Sequence, residues 1–197
     1  MNATLAVLAG GEGSRMGRPK AELCVSGVPI LEYLLKRFDW PGEKVLVTAP
    51  GREHPPGHQL FDREVIDPVA GEGPLRGIVT ALDGPAAGTI FLFVTCDMPL
   101  VTRDMLTALQ RRLRRDSSLM GLMMQSESAV EPFPLGIRSD MRDQLLERLQ
   151  QGERSVWKLA ERPDFRCMRG PEDPEVWTNL NDPDDFRNFV LSVPGPG

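Results

Sequence analysis

Histidine and paired cysteine are nearly missing from this chain. His54 and His58 are the only histidines, and they share a Pro/Gly-rich stretch without metal-ligand spacing. Cys24, Cys96 and Cys167 lie far apart, are odd in number and include no C-x-x-C pair. That argues against a zinc site or a disulfide framework, and for buried thiols in a reducing compartment. No Ser-His-Asp or Cys-His arrangement stands out, which leaves triad-type nucleophilic catalysis without a carrier. An excess of positive charge is also absent. Lys and Arg total 23 against 28 Asp and Glu, giving a net charge of −5 and a pI near 5.2. Such a molecule repels nucleic acid and anionic membranes. No apolar run approaches the roughly 20 residues of a membrane helix, and Met1–Thr4 lack the basic region of a signal peptide. The expectation is a cytoplasmic protein with neither nucleic acid nor membrane as partner.

What is present is globular. Apolar residues make up 41% and charged residues 26% of 197 residues, enough for one sizeable core. With no internal repeat or linker, residues 1–192 are expected to form a single domain, and 193–197, rich in Pro and Gly, a flexible tail. Strand-like and helix-like segments alternate. Apolar runs at 4–8, 44–48, 64–67 and 89–95 read as strands, the run at 89–95 as the central one, and 119–124 is another apolar run. Residues 30–38, 78–82 and 103–115 carry helical spacing, with Pro29 at a first turn and Thr102 as an N-cap. Further on, 130–137 reads as a strand at an edge or with a bulge, because Pro132 and Pro134 interrupt it. Residues 140–149, 155–160 and 182–191 read as helices, and 165–168 and 176–180 as short strands. This rhythm predicts an α/β fold: three layers, a mostly parallel sheet with helices on both faces. Ligands in such folds gather at the carboxyl ends of the strands.

The most informative stretch follows the first strand. From Leu8 to Lys20 the chain packs Gly10, Gly11, Gly13 and Gly17 together with Arg15, Arg18 and Lys20. Inward-turned N–H groups of a glycine loop cradle an anion, and the cations add full charge to the same volume. The stretch is neither a P-loop nor a dinucleotide fingerprint. The string G-x-x-x-x-G-K-[ST] is absent, the G-x-G-x-x-G spacing fails, and Pro19 stands where a helix should run. A long irregular loop here points to phosphate chemistry. Asp97, closing the most apolar strand, is costly unless paired or metal-bound, and is the candidate magnesium ligand, with capping of the next helix as the plainer reading. Asp67 either meets a ligand's ribose or base or opens an Asp-Pro turn, the turn being favoured. A second glycine loop, Gly71–Gly77, holds Arg76, which either touches phosphate or is solvated. Asn179 and Asn181 share a strand face and either contact ligand or serve a turn and cap with Asp182.

Leu8-Ala9-Gly10-Gly11 with Arg15-Met16-Gly17 and Lys20, Gly73-Pro74-Leu75-x-Gly77, Cys96-Asp97-Met98-Pro99 and Asn179-Leu180-Asn181-Asp182-Pro183 occur in this order. Together they resemble the molybdenum cofactor guanylyltransferases, within the nucleotidyltransferase superfamily, over roughly Thr4 to Val190. The late Asn motif and Gly152-Glu153-Arg154 point to that family more narrowly. The resemblance implies a Rossmann-like nucleotidyltransferase fold and transfer of GMP from GTP to the terminal phosphate of molybdenum-molybdopterin, releasing pyrophosphate. It implies that Leu8, Ala9, Gly10 and Lys20 bind GTP, joined by Thr48 and Asp67, and that Asp97 binds both GTP and Mg²⁺. With Gly11, Asn179 and Asn181 as further contacts, Arg15, Lys20 and Asp97 are the expected catalytic groups. Molybdoenzymes or cofactor chaperones would be its protein partners. Pro19 and Thr48 depart from the guanylyl pattern. A CTP-dependent molybdopterin cytidylyltransferase or a sugar-phosphate nucleotidyltransferase is therefore the alternative enzyme, and a non-catalytic GTP-binding delivery adaptor the alternative of another class.

Overall fold

The computed structural model describes residues 3–11, 13–84 and 89–193. The expected tail beyond Val193 and Glu12 of the glycine loop lie outside the described residues. The chain builds β1 (Thr4–Leu8), a small hairpin of β2 (Cys24–Val25) and β3 (Val28–Pro29), α1 (Ile30–Phe38), β4 (Lys44–Thr48), β5 (Arg63–Ile66) and α2 (Pro74–Ala81). It continues with β6 (Ile90–Thr95), α3 (Arg103–Arg115), β7 (Gly121–Gln125), β8 (Val130–Arg138), α4 (Arg142–Gln150), β9 (Phe165–Arg169) and α5 (Pro183–Ser192).

Seven strands form one sheet in the order β5-β4-β1-β6-β8-β7-β9. β1 is flanked by parallel partners on both sides and every one of its residues is buried, so Thr4-Leu5-Ala6-Val7-Leu8 reads as a continuous apolar run rather than an alternating one. β6, the most apolar strand, lies in the middle, as its composition predicts. Only β8 runs against its neighbours, antiparallel to both β6 and β7. Of the two alternatives expected for β8, an edge or a bulge, the structure has the second, since β8 sits between two strands. Its two prolines are instead accommodated by a register shift between Leu122 and Met124 of β7, which removes the ladder bonds that proline cannot make.

Helices cover both faces. On one face α2 lies so close to β1 and β4 that a Cβ on Gly77 would stand 3.1 Å from Leu8 Cδ2 and 3.3 Å from Val47 Cγ1. On the other, Leu109 and Leu113 of α3 close over Gly136 beside Leu92. α1 buries Ile30, Leu31, Leu34 and Phe38, the i, i+4, i+8 stripe of a helix laid on a core. Thr102 caps α3 by accepting from the Met105 amide at 3.4 Å. Asp182 and Asp185 close a capping box on α5.

Three boundaries differ from the sequence-based expectation. Residues 176–180 are not a strand: Asp173 caps a 3-10 turn at Pro174–Trp177 through the Glu175 amide, and the Trp177 ring lies against Gly170. Capping and ring packing override the β preference of Val176 and Trp177. Residues 155–160 form a 3-10 turn at Trp157–Glu161 rather than an α-helix. The second glycine loop ends at Gly73, because Pro74 opens α2 at a position where its missing N–H costs nothing.

Gly121 gives a stability test. A Cβ there would run into the Phe165 ring across the β7–β9 pair. Because Phe165 is 1% exposed, it has nowhere to go. Gly121→Ala is expected to cost about 2 kcal/mol and to lower Tm by about 6 °C, measured by thermal denaturation.

Candidate active site

The carboxyl ends of β1, β4, β5 and β6 open onto a cleft of about 460 Å³, a size suited to a small organic ligand. Strand pairing builds its floor. The Ala9 amide donates to the Val47 carbonyl at 2.8 Å and the Cys96 amide to the Leu8 carbonyl at 3.1 Å, so the chain is held in the sheet until Ala9. Gly10 and Gly11 then leave it at the mouth. Gly13 turns at φ +59°, and a Cβ there would collide with the Arg18 carbonyl oxygen. Only glycine permits this fold-back. The loop returns through Pro19 into a 3-10 turn, Lys20–Glu22, whose Ala21 is buried together with Leu23. Those two apolar anchors fix where Lys20 starts.

Lys20 Nζ stands 2.7 Å from Asp97 Oδ2, with side chains only 15% and 20% exposed. It also donates to Asn181 Oδ1 at 3.4 Å. Asp97 is held from behind, its carbonyl accepting from the Leu180 amide at 2.8 Å. Its other carboxylate oxygen, Oδ1, is buried and has no protein partner. The capping alternative for Asp97 falls away, since Thr102 performs that task. A buried carboxylate oxygen left without a donor beside a cleft suits a hard divalent cation. Among the described residues no group of three His, Cys, Asp or Glu could hold a metal alone. A cation at Asp97 would therefore complete its shell with ligand oxygens and water, as magnesium commonly does.

Asp67 lines the cleft from the end of β5, its amide donating to the Thr48 carbonyl at 2.9 Å. Its Oδ1 is also buried and unpaired. Burial raises the Asp67 carboxyl above the usual carboxylate range; the Thr80 hydroxyl and Arg76 oppose this, and Glu72 adds to it. Arg76 fits neither of its expected roles, being paired with Glu72 at 2.6 Å. Arg15 lines the cleft, exposed and without an ion pair or hydrogen bond to any described residue. Cys96 also lines the cleft, and burial with the nearby Asp97 charge pushes its thiol up to about 12, so it stays protonated and inert as a nucleophile.

Leu8, Gly10, Gly11, Arg15, Lys20, Asp67, Asp97 and Asn181 thus converge on one cavity. Ala9, Thr48 and Asn179 do not reach it. Ala9 is buried in the sheet. Thr48 donates its hydroxyl to Glu64 at 2.7 Å. Asn179 donates to the Trp177 carbonyl at 3.2 Å, because the strand expected to aim both asparagines to one side does not form. Sequence reasoning passed over Glu72, which lines the cleft, and the apolar wall of Ala49 and Val69.

A glycine loop opposite a lysine–aspartate pair, at the carboxyl ends of a doubly covered sheet, defines an enzyme of the nucleotidyltransferase class. The chain belongs to the MobA-like NTP transferase domain family, whose model matches residues 5–165. It is 30% identical to a probable molybdenum cofactor guanylyltransferase of Bacillus velezensis, over 95% of this chain and 94% of that protein. A second relative with that name, from Methanothermobacter thermautotrophicus, is 30% identical over 93% and 97% of the two chains. In fold it matches the crystal structure of molybdopterin-guanine dinucleotide biosynthesis protein A from Archaeoglobus fulgidus, with a TM-score of 0.77 and 24% identity over 95% and 97%. No helix among the described residues is long and apolar enough to cross a membrane.

Proposed function

We propose that the protein transfers GMP from GTP to the terminal phosphate of molybdenum-molybdopterin. An oxygen of the acceptor phosphate attacks the α-phosphorus of GTP; the bond from that phosphorus to the β-phosphate oxygen breaks, and pyrophosphate leaves with the bonding electrons. The observation that carries this reading is Lys20 on Asp97 at 2.7 Å, with the second Asp97 oxygen buried and unpaired. Loop amides from Gly10, Gly11 and Gly13, with Lys20 and Arg15, hold the triphosphate and neutralise the departing pyrophosphate. Asn181 accepts from Lys20 at 3.4 Å and would face the same phosphates. A divalent cation, Mg²⁺ in this reading, would bind Asp97 and supply Lewis-acid charge neutralisation there. The acceptor phosphate is already ionised near neutral pH, so no general base is needed, in agreement with a cleft that no histidine lines.

Asp67 supports GTP over CTP. Its free oxygen is an acceptor in search of donors, and the guanine edge offers two adjacent N–H groups. Ala49 and Val69 give the base an apolar wall. The test is pyrophosphate release with molybdopterin and each of GTP, CTP, ATP and UTP. GTP should be preferred at least tenfold, since mispaired buried polar groups discriminate strongly. Equal or better turnover with CTP sinks the guanine reading, and GTP binding without pyrophosphate favours the adaptor.

Asp67→Asn adds a second arm to that test. Losing a charged acceptor should weaken GTP binding about tenfold. It should also stabilise the protein. Because the folded Asp67 pKa is raised, the fold favours the protonated form. That advantage is full below the ordinary carboxylate pKa and is lost as pH rises through the folded value. At pH 7 the Asn variant escapes the cost of a buried charge and should melt higher than wild type; near pH 3 the two should coincide. Thermal melts at both pH values check this.

A further inference from the structure

We infer that Arg154 is a positioning residue for the nucleotide cleft, acting through Glu72 to hold the second glycine loop in place. The inference rests on the reading of the cleft as a nucleotide site. Gly71 and Gly73 both have positive φ, at 76° and 78°, with open space where a Cβ would stand. Between them stands Glu72, whose side chain ties this wall to its surroundings through ion pairs. Its carboxylate faces two guanidinium groups. Oε2 accepts from Arg76 Nε at 2.6 Å, a local i, i+4 partner on the first turns of α2. Oε1 lies 3.6 Å from Arg154 Nη2, which follows the end of α4 in the chain.

The residues before Arg154 exist to present it. Gly152 ends α4 at φ +82°, its amide donating to the Leu149 carbonyl at 2.9 Å and the Glu153 amide to the Arg148 carbonyl at 3.0 Å. This is the left-handed stop that glycine serves best. The Glu153 carboxylate then accepts from the Ser155 amide at 3.2 Å and from Lys158 at 2.7 Å, fixing the next turn. Between two locked neighbours, Arg154 is 57% exposed in its side chain and fills no part of the core. Its charge also offsets a carboxylate that would otherwise face a triphosphate. Gly152-Glu153-Arg154 thereby gains a physical reading: a stop, a brace and a clamp.

The test uses the full chain without acceptor. Calorimetric titration with GTP and magnesium chloride is run on wild type, R154A, R154K, E72Q and the E72Q/R154A pair, and amide exchange across residues 70–76 is followed without nucleotide. An exposed ion pair is worth up to about fivefold in binding. R154A should therefore weaken GTP about three- to fivefold and speed exchange in that segment, with Tm unchanged, and R154K should restore both. In the E72Q background the R154A effect should vanish. The inference is overturned if R154A binds GTP like wild type, or if its cost persists undiminished in E72Q, which would put the guanidinium on the ligand itself. Wild type that binds no nucleotide overturns this inference and the nucleotide reading together.

Discussion

Lys20→Ala should lower nucleotidyl transfer by about 10³-fold, the upper range for removing one donor aimed at developing transition-state charge. The ammonium is 2.7 Å from Asp97, and its side chain is 15% exposed, so it acts where water screens poorly. The loss should fall mainly on kcat, because in the proposed reading loop amides and Arg15 would still bind the ground-state triphosphate. The fold should survive, since Ala21 and Leu23 anchor the turn independently of the side chain. Pyrophosphate release under saturating GTP reads the effect; turnover within tenfold of wild type would remove Lys20 from its assigned role.

Asp97→Asn should produce a loss of similar size, about 10²- to 10³-fold, by a different route. The amide keeps the shape of the side chain but offers a divalent cation no negative charge and leaves Lys20 without its counterion. Metal-dependent tightening of GTP, visible by titration with and without magnesium, should disappear in this variant and persist in Lys20→Ala. Because the two side chains act as one unit, the double variant should cost little more than the worse single one. Fully multiplicative losses would mean that lysine and aspartate serve separate steps.

Much of this architecture was legible locally. The unbroken apolar runs of β1 and β6, the 3.6-residue stripe of α1 and the Thr102 cap each declare themselves within a dozen residues. So did the glycine-rich, cationic character of the stretch from Gly10 to Lys20. The failures were equally local in origin. Val176 and Trp177 look like a strand until Asp173 and Gly170 are placed around them. Thr48 stood as a ligand contact through the family resemblance alone, and Glu64 from the neighbouring strand claims its hydroxyl. The prolines of β8 signalled an irregularity correctly but not its location, because a bulge and an edge relieve the same missing donor.

By itself the sequence determined most of the kinds of element and the presence of one cationic, glycine-rich loop on an acidic protein. These depend on periodicity and on steric rules acting over a few residues. Which charges meet was decided only by the tertiary structure. Lys20 and Asp97 are 77 positions apart, and Lys20 and Asn181 are 161 apart. They meet because strand order sets β1 beside β6 and a buried Leu180 pins the last motif to the Asp97 backbone. A carboxylate's partner depends on what burial brings within a few ångströms of it, and no local pattern of residues encodes that distance.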